Sequence, residues 1–409
     1  MRKDINSMET TAAVNVSSMV QNFVAWLEDY GEESQDWQDF YAGDLGRKSK
    51  SLYYRNKLFG TIGVAPIVFL EMFFPQTRRF FYPKTRFPIA DAHFAMGYAF
   101  LFLTTGQAHF KKRAIHFINI LEKSRCAGFQ DYCWGYPFDW ETVNGTIKAG
   151  TPLITTIPYV YEAFLQVYDI HDDDRYLAIA RSIAEHAYCD YRDIKIDDGV
   201  YSCGYQPEDS LGMVVNASAY RAFLLVDASI RFSEDRFLEK ALGNIQFVQK
   251  SQNEDGSWYY AVDSRRSFID HFHTCFVLKS LIKINELLKR KDILVTIEKG
   301  IDYYTANLFD QHGLPLPFSK PPRITVYRRE LYDFAECINL MELYRTYSDR
   351  LTTFLHNVLS DLNRRWQKAD GSFRSRRLFI GWDNLPMHRW AQSQLFRSLA
   401  FYQWQQKKR

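Results

Sequence analysis

The segment QNEDGSWYYAVDSRRSFIDHFHTCFVLKSLIKINELL (Gln252–Leu288) joins a glycine-centred turn to a run whose apolar residues, from Phe276 to Leu288, recur at i, i+3, i+4 and i+7. That period belongs to a helix, not a strand. The same couple returns along the chain, with turns at DDGVY (197–201), QHGLP (311–315) and ADGSF (369–373). Their glycines, Gly199, Gly256, Gly313 and Gly371, are spaced by 57, 57 and 58 residues, and Gly135 in CWGYPFDW lies 64 residues further upstream. Helical periodicity follows again over Tyr159–Val167, Ala219–Ile230 and Ile338–Tyr347. A unit of this length holds two helices of about 15 residues and two connections, so the repeat is a helical hairpin.

The first helix of each pair is predicted to start near Ala90, Thr155, Asn216, Ile269, Tyr332 and Met387. It is the more apolar, with small residues such as Ala217, Ala219, Ala335 and Ala391. The second carries the charge, as in DDRYLAIARSIAEHA and EDRFLEKALGNIQFVQ. Apolar helices inside and amphipathic helices outside, six times over, predict an all-α fold, an (α/α)6 toroid of six helical hairpins. An open superhelical solenoid is the rival, and the count of six favours closure. The last unit ends in Lys407, Lys408 and Arg409 after a single helix, so a helix near the N-terminus is expected to complete it. Residues 1–88 are therefore read as a helical segment that packs on and closes the ring of residues 89–409, the two forming one domain.

The 409 residues are 46% hydrophobic and 24% charged, a globular composition. With 51 basic against 48 acidic residues, net charge +3, no surface built mainly for nucleic acid is expected. The apolar run Phe59–Phe74 is broken by Glu71 and is shorter than the roughly 20 residues of a spanning helix. Followed by Arg78, Arg79, Lys84 and Arg86, residues 59–86 read either as a packed core helix or as a peripheral contact with an anionic membrane. The N-terminal MRKDINSMETTAAVNVSS shows no apolar run after its basic residues, so no secretory signal is read and a cytoplasmic place is expected, on the inner membrane face if 59–86 binds lipid. Six scattered cysteines show no C-x-x-C pair and no zinc-type spacing with histidine, so neither metal nor cofactor is expected.

Long connections enter each inner helix at one mouth of such a ring, and they hold the unusual residues. The loop aromatics Trp140, Tyr205, Trp258 and Trp382 suit the flat faces of sugars, with anchoring of the loops as the alternative. Aligned on the repeat, the inner helices open with DHFHTCF (270–276), DFAECIN (333–339) and RWAQSQL (389–395), which place polar residues three apart on one face: Asp270 with His273, Asp333 with Glu336, Arg389 with Gln392. Asp270 and Asp333 are also good helix N-caps. Capping does not account for His273 or for His388 beside Arg389, so Asp270, His273, Asp333 and His388 are expected to supply the acid and base. Asp139, Asn216, Glu336 and Arg389 are expected to join the aromatics in shaping subsites. The chemistry this implies is metal-independent proton transfer on an oligosaccharide, polysaccharide or glycolipid, by hydrolysis, elimination or epimerisation.

QNEDGSW, FIDHFHT, CWGYPFDWE and MHRWAQSQLFRSLA, spread over roughly Ala90 to Tyr402, resemble a family of (α/α)6 proteins encoded among genes for bacterial exopolysaccharide, capsule and O-antigen assembly. That resemblance implies a role in surface-polysaccharide metabolism. In architecture the predicted ring is similar to uronate lyases, unsaturated glucuronyl hydrolases and sugar 2-epimerases, the last of which use a histidine pair. FVQKSQNEDGSW also resembles the Q-x-x-x-G-x-W repeat of triterpene cyclases, which implies an isoprenoid-processing alternative, although no D-x-D-D acid motif is present. A non-catalytic glycan-binding scaffold in an assembly complex is the third reading. Oligomeric state leaves no mark in the sequence.

Overall fold

A computed structural model describes residues 14–263, 265–322 and 325–409. The first thirteen residues, where the absence of a leader was read, lie outside the described residues. In chain order the helices are α1 (Val16–Tyr30), α2 (Asp39–Ala42), α3 (Asp44–Arg55), α4 (Lys57–Phe73), α5 (Pro88–Thr105), α6 (Ala108–Lys123), α7 (Ile157–His171), α8 (Asp174–Cys189), α9 (Val215–Phe232), α10 (Asp235–Lys250), α11 (His271–Leu288), α12 (Lys291–Asn307), α13 (Leu331–Tyr344), α14 (Thr352–Asp361) and α15 (Ser393–Lys408). Six of them, α5, α7, α9, α11, α13 and α15, are buried along most of their length and pack side by side. The ring closes where α15 meets α5: Phe396 lies 5.0 Å from Tyr98 and 6.2 Å from Phe94, over the bare backbone of Gly97. The structure is a closed (α/α)6 toroid, not an open solenoid.

Four of the turns from inner to outer helix, after α5, α7, α9 and α11, are two residues long and share one device, whereas the turn from α13 to α14 runs over residues 345–351. The residue after α5, α7, α9 and α11 is left-handed, at Gly106, Asp172, Ser233 and Lys289, with φ of 73°, 54°, 56° and 53°. Its N–H donates to the carbonyl four residues back, which ends the helix and reverses the chain. Three of the four positions use a residue with a Cβ, which is disfavoured there. Ser233→Gly and Lys289→Gly are each expected to stabilise the fold by about 1 kcal/mol in urea unfolding.

Connections from outer to inner helix are long and carry the short strands β1 (Trp140–Thr142), β2 (Gly145–Ile147), β3 (Asp193–Asp197), β4 (Val200–Cys203), β5 (Ile269–Asp270), β6 (Phe318–Lys320), β7 (Tyr327–Glu330), β8 (Arg376–Leu378) and β9 (Trp382–Asp383). All pair antiparallel. β1–β2 and β3–β4 are hairpins, whereas β5–β6 and β7–β8–β9 stitch the long loops of successive repeats together.

The repeated D-G-S turn is a clip. Gln252 donates from Nε2 to Gly256 O and to Thr296 O on α12, both at 3.0 Å, and Gln367 does the same to Gly371 O at 3.0 Å and Met19 O on α1 at 2.8 Å. Asp255 and Asp370 each accept from the N–H and hydroxyl of the serine two residues on. Gly256 and Gly371 adopt φ of +90° and +94°, and a Cβ on either would stand 2.2 Å from a backbone oxygen of the next outer helix, Lys299 O or Asn22 O. The parallel shows α1 in the position that α12 holds two repeats earlier: it supplies the outer helix for α15, and Phe23 stacks on Phe396 at 5.3 Å.

Candidate active site

The mouth formed by the long connections is rimmed by rings. Tyr260 meets His273 at 4.6 Å, and His273 meets Phe272 at 4.4 Å. Phe272 reaches Trp390 at 6.3 Å, Arg389 lies over Trp390 at 4.2 Å and over Tyr136 at 4.6 Å, Tyr136 reaches Trp140 at 5.9 Å, and Trp140 reaches Tyr205 at 6.2 Å. This collar draws on the connections before α7, α9 and α11, on the first turn of α11 and on the entry to α15. Trp140, Tyr205, Tyr260, Phe272, His273 and Trp390 are partly exposed.

One of the expected Asp–His couples, Asp270 with His273, sits in this collar. Asp270 caps α11, its Oδ1 accepting from the His273 N–H at 2.9 Å, while its Oδ2 accepts from His273 Nδ1–H at 2.6 Å. Asp270 is 2% exposed and the His273 side chain 22%. With Nδ1 committed to a carboxylate, the Nε2 lone pair is the available basic atom, and no hydrogen bond claims it among the described residues. One Asp270 oxygen thus caps the helix while the other holds the imidazole.

The other two expected catalysts are elsewhere. His388 is buried between α1 and α5, its ring edge-on to Trp26, Tyr30 and Phe94 at 5.8, 5.6 and 5.3 Å. Its Nε2–H donates to Gly31 O at 3.0 Å, and burial lowers its pKa to about 4, so it is a neutral tie to the N-terminal segment. The cause of the misplacement is a π-helical turn, His388–Gln392, in which Gln392 N–H donates to Met387 O five residues back. The extra residue rotates this entry out of the frame of DHFHTCF. Asp333 is 1% exposed, and neither of its oxygens meets a donor among the described residues. Burial first, then the Glu330 and Asp270 carboxylates, push its pKa well above the usual range, so it stays protonated and shut away from solvent.

Of the expected subsite residues, Trp140 and Tyr205 are in the collar, and Tyr205 hydroxyl accepts from Thr155 Oγ1 at 3.2 Å. Arg389 is in it too, but its guanidinium is neutralised by buried Asp36, Nε to Oδ2 at 2.9 Å and Nη2 to Oδ1 at 2.5 Å. Trp258 is a loop anchor: 3% exposed, it donates from Nε1 to Val248 O at 2.9 Å and packs under Gly300. Trp382 packs edge-on to Trp366 at 5.0 Å between Arg374 and Arg377. Asp139 fastens the β1–β2 hairpin by accepting from Arg47, Lys148 and the Ala149 N–H. Asn216 is buried in the first turn of α9, with Oδ1 unpartnered among the described residues. Phe272 and Trp390, which the sequence reading does not single out, are collar members; each is flanked by polar residues, in HFH and HRW.

Glu336 lies deeper, in a plug across the ring axis to which every inner helix contributes a polar side chain, and α13 two. Lys279 pairs with Glu336 and approaches Tyr159 Oη at 3.5 Å, Tyr159 shares a hydrogen bond with Tyr220 at 2.8 Å, and Arg397 donates to His93 Nδ1 and to Asn339 Oδ1, each at 3.4 Å. Burial works against the Lys279 ammonium, yet the Glu336 carboxylate holds its pKa above the ordinary value. His93 is kept neutral by burial, reinforced by the surrounding cations. Beyond the plug, at the short-turn end, a cavity of about 270 Å³ is walled by Glu162, Phe223, Lys283, Arg397, Phe401 and Trp404. An open cleft of about 410 Å³ beside α1 is lined by Glu28, Glu32, Glu33, Arg86 and Arg113, and its Glu32, Arg86 and Arg113 bind one another. No group of three His, Cys, Asp or Glu is placed to hold a metal ion among the described residues.

No protein-family model and no curated protein sequence matches the chain. Solved structures do. It resembles a D-mannose isomerase (14% identity, TM-score 0.61, 97% of this chain and 98% of that one). It also resembles the unsaturated glucuronyl hydrolase of a Bacillus species (11%, TM-score 0.63, 94% and 95%) and the cellobiose 2-epimerase of Spirochaeta thermophila (12%, TM-score 0.60, 79% and 86%). The chain therefore shares the (α/α)6 toroid of these three structures, over nearly its whole length for the first two and over 79% of it for the third.

Proposed function

We propose that this protein is an enzyme acting on a saccharide, as an oligosaccharide, polysaccharide or lipid-linked glycan of surface-polysaccharide metabolism, by proton transfer that needs no metal. The observation that carries this reading is the Asp270–His273 pair, whose Nε2 is left open inside a collar of partly exposed rings. Ring faces bind the apolar faces of sugars, and an oriented neutral imidazole takes a proton. Hydrolysis would ask for two carboxyl groups flanking a bond. Among the described residues the collar offers no such couple, since Asp270 is occupied by His273 and Asp333 is enclosed. The geometry favours abstraction of a proton beside a carbonyl or carboxyl group, as in epimerisation, isomerisation or elimination. Tyr260, its ring 4.6 Å from His273 and its phenol pushed up to about 12 chiefly by burial, stays protonated and supplies the returning proton. Two of the structural relatives, a mannose isomerase and a cellobiose epimerase, carry names of that chemistry.

The test is exchange in deuterated water, followed by proton NMR, with mannose, cellobiose and uronate-containing oligosaccharides. Deuterium is expected at one carbon of the substrate and to vanish with His273→Ala. Bond cleavage without exchange, or exchange that survives in the variant, would overturn the assignment.

A further inference from the structure

Half of the 18 large apolar side chains that stand exposed among the described residues fall in one short stretch, Leu45 to Phe80. The most open are Leu45, Leu58, Phe59, Ile62 and Phe80, at 61–76% exposure. They belong to the α3–α4 hairpin and the turn after it. The two helices touch closely, because Gly60 lies against the Tyr53 backbone where a Cβ would stand 2.1 Å from Cα. α4 is apolar around most of its circumference but buries only Gly60, Ile67 and Glu71, so its outer face has no partner among the described residues.

Charge around this face has one sign. Glu71, the sole acid of α4, turns inward and accepts from Arg376 at 2.9 Å, and exposed Asp44 is bound by Arg47. Lys48, Arg55, Lys57, Arg79 and Lys84 are exposed. Arg78 and Arg86, grouped with them in the sequence, are committed instead to Asp383 and Asp91. No helix is long and apolar enough to cross a membrane among the described residues. The hairpin is also pinned flat to the body, through Arg47 to Asp139, Arg78 to Asp383 and Arg376 to Glu71. Those anchors are on the long connections, so the hairpin stands at the collar end of the ring.

We propose that the outer face of α3–α4 docks on an anionic lipid bilayer, with Phe59, Ile62 and Phe69 entering the interface and the exposed cations resting on headgroups. A surface that is both apolar and uniformly basic fits such a bilayer better than a second copy of itself, whose cations would repel. The inference stands apart from the chemistry at His273.

Flotation of the full chain with vesicles tests it. Binding is expected to vesicles of phosphatidylcholine and phosphatidylglycerol in equal parts, and to be weakened at least ~10-fold by pure phosphatidylcholine or high salt, since each cation near the surface contributes about fivefold. Ile62→Asp/Phe69→Asp and, separately, Arg55→Glu/Lys57→Glu are expected to weaken it at least ~10-fold at unchanged melting temperature. Equal binding to both vesicle types, or none to either, would overturn the proposal. So would a dimer in light scattering that Ile62→Asp/Phe69→Asp dissolves without any vesicle binding, which would assign the face to a second copy.

Discussion

Replacing Lys279 with methionine is expected to lower the free energy of unfolding by about 3–5 kcal/mol, because it leaves Glu336 as an unpaired carboxylate in the centre of the ring. Glu336 is 1% exposed, and Lys279 is its only hydrogen-bonding partner among the described residues. Adding Glu336→Leu to Lys279→Met should restore most of the loss, since an apolar pair of similar volume replaces a charge pair at little net cost. Urea unfolding of the two single variants and the double variant measures the coupling directly. A loss under about 1 kcal/mol in Lys279→Met would mean that solvent reaches the axis and that the plug is not closed.

The plug also explains why the ring holds its mouth in one shape. Lys279 lies 5.6 Å from the Phe276 ring, and Phe276 stands edge-on to His273 at 5.5 Å, so the axis and the collar are packed into each other. Phe276 further contacts Tyr220 at 5.3 Å and Tyr332 at 5.9 Å, which carries the constraint across α9, α11 and α13. The His273 ring is thus placed by the core beneath it as well as by the cap that holds it.

The repeat made the ring legible because D-G-S turns obey local rules: a left-handed glycine and an Asp-to-Ser turn are written within five residues. Helix starts were legible for the same reason, within about two residues of those observed for the five inner helices from α5 to α13. What local reading could not supply is which way a side chain faces once helices meet. Lys279 and Glu336 lie 57 residues apart on neighbouring helices, and only tertiary packing makes them partners. Trp258 was taken for a sugar platform, yet the sequence held the contrary sign: Gln252 and Gln367 precede D-G-S at the same distance in two loops. A motif kept whole, from glutamine to aromatic, in loops that serve different places on the rim answers to the fold and not to a ligand. His388 was lost to one extra residue in a π turn, a shift that repeat alignment cannot see.

Asp270→Asn separates the two duties of Asp270 and gives the largest expected effect on chemistry. Asparagine caps helices about as well as aspartate, so its side-chain oxygen can keep the bond from the His273 N–H, and stability should stay within about 1 kcal/mol. The second position changes in kind. Where Oδ2 now accepts from Nδ1–H at 2.6 Å, the amide would present a donor, and the imidazole would answer by taking its proton on Nε2. The basic lone pair would then face the amide instead of the collar. An oriented general base contributes about 10²–10⁴ in rate, so turnover of the saccharide identified by exchange should fall by that factor. His273→Ala should fall as far, and the double variant no further, because one tautomer of one ring is what both single changes remove. Asp270→Ala should add a loss of about 1 kcal/mol in stability from the missing cap. Wild-type turnover in Asp270→Asn would leave the pair a helix cap with a histidine attached, and the chemistry of the collar would have to come from its tyrosines.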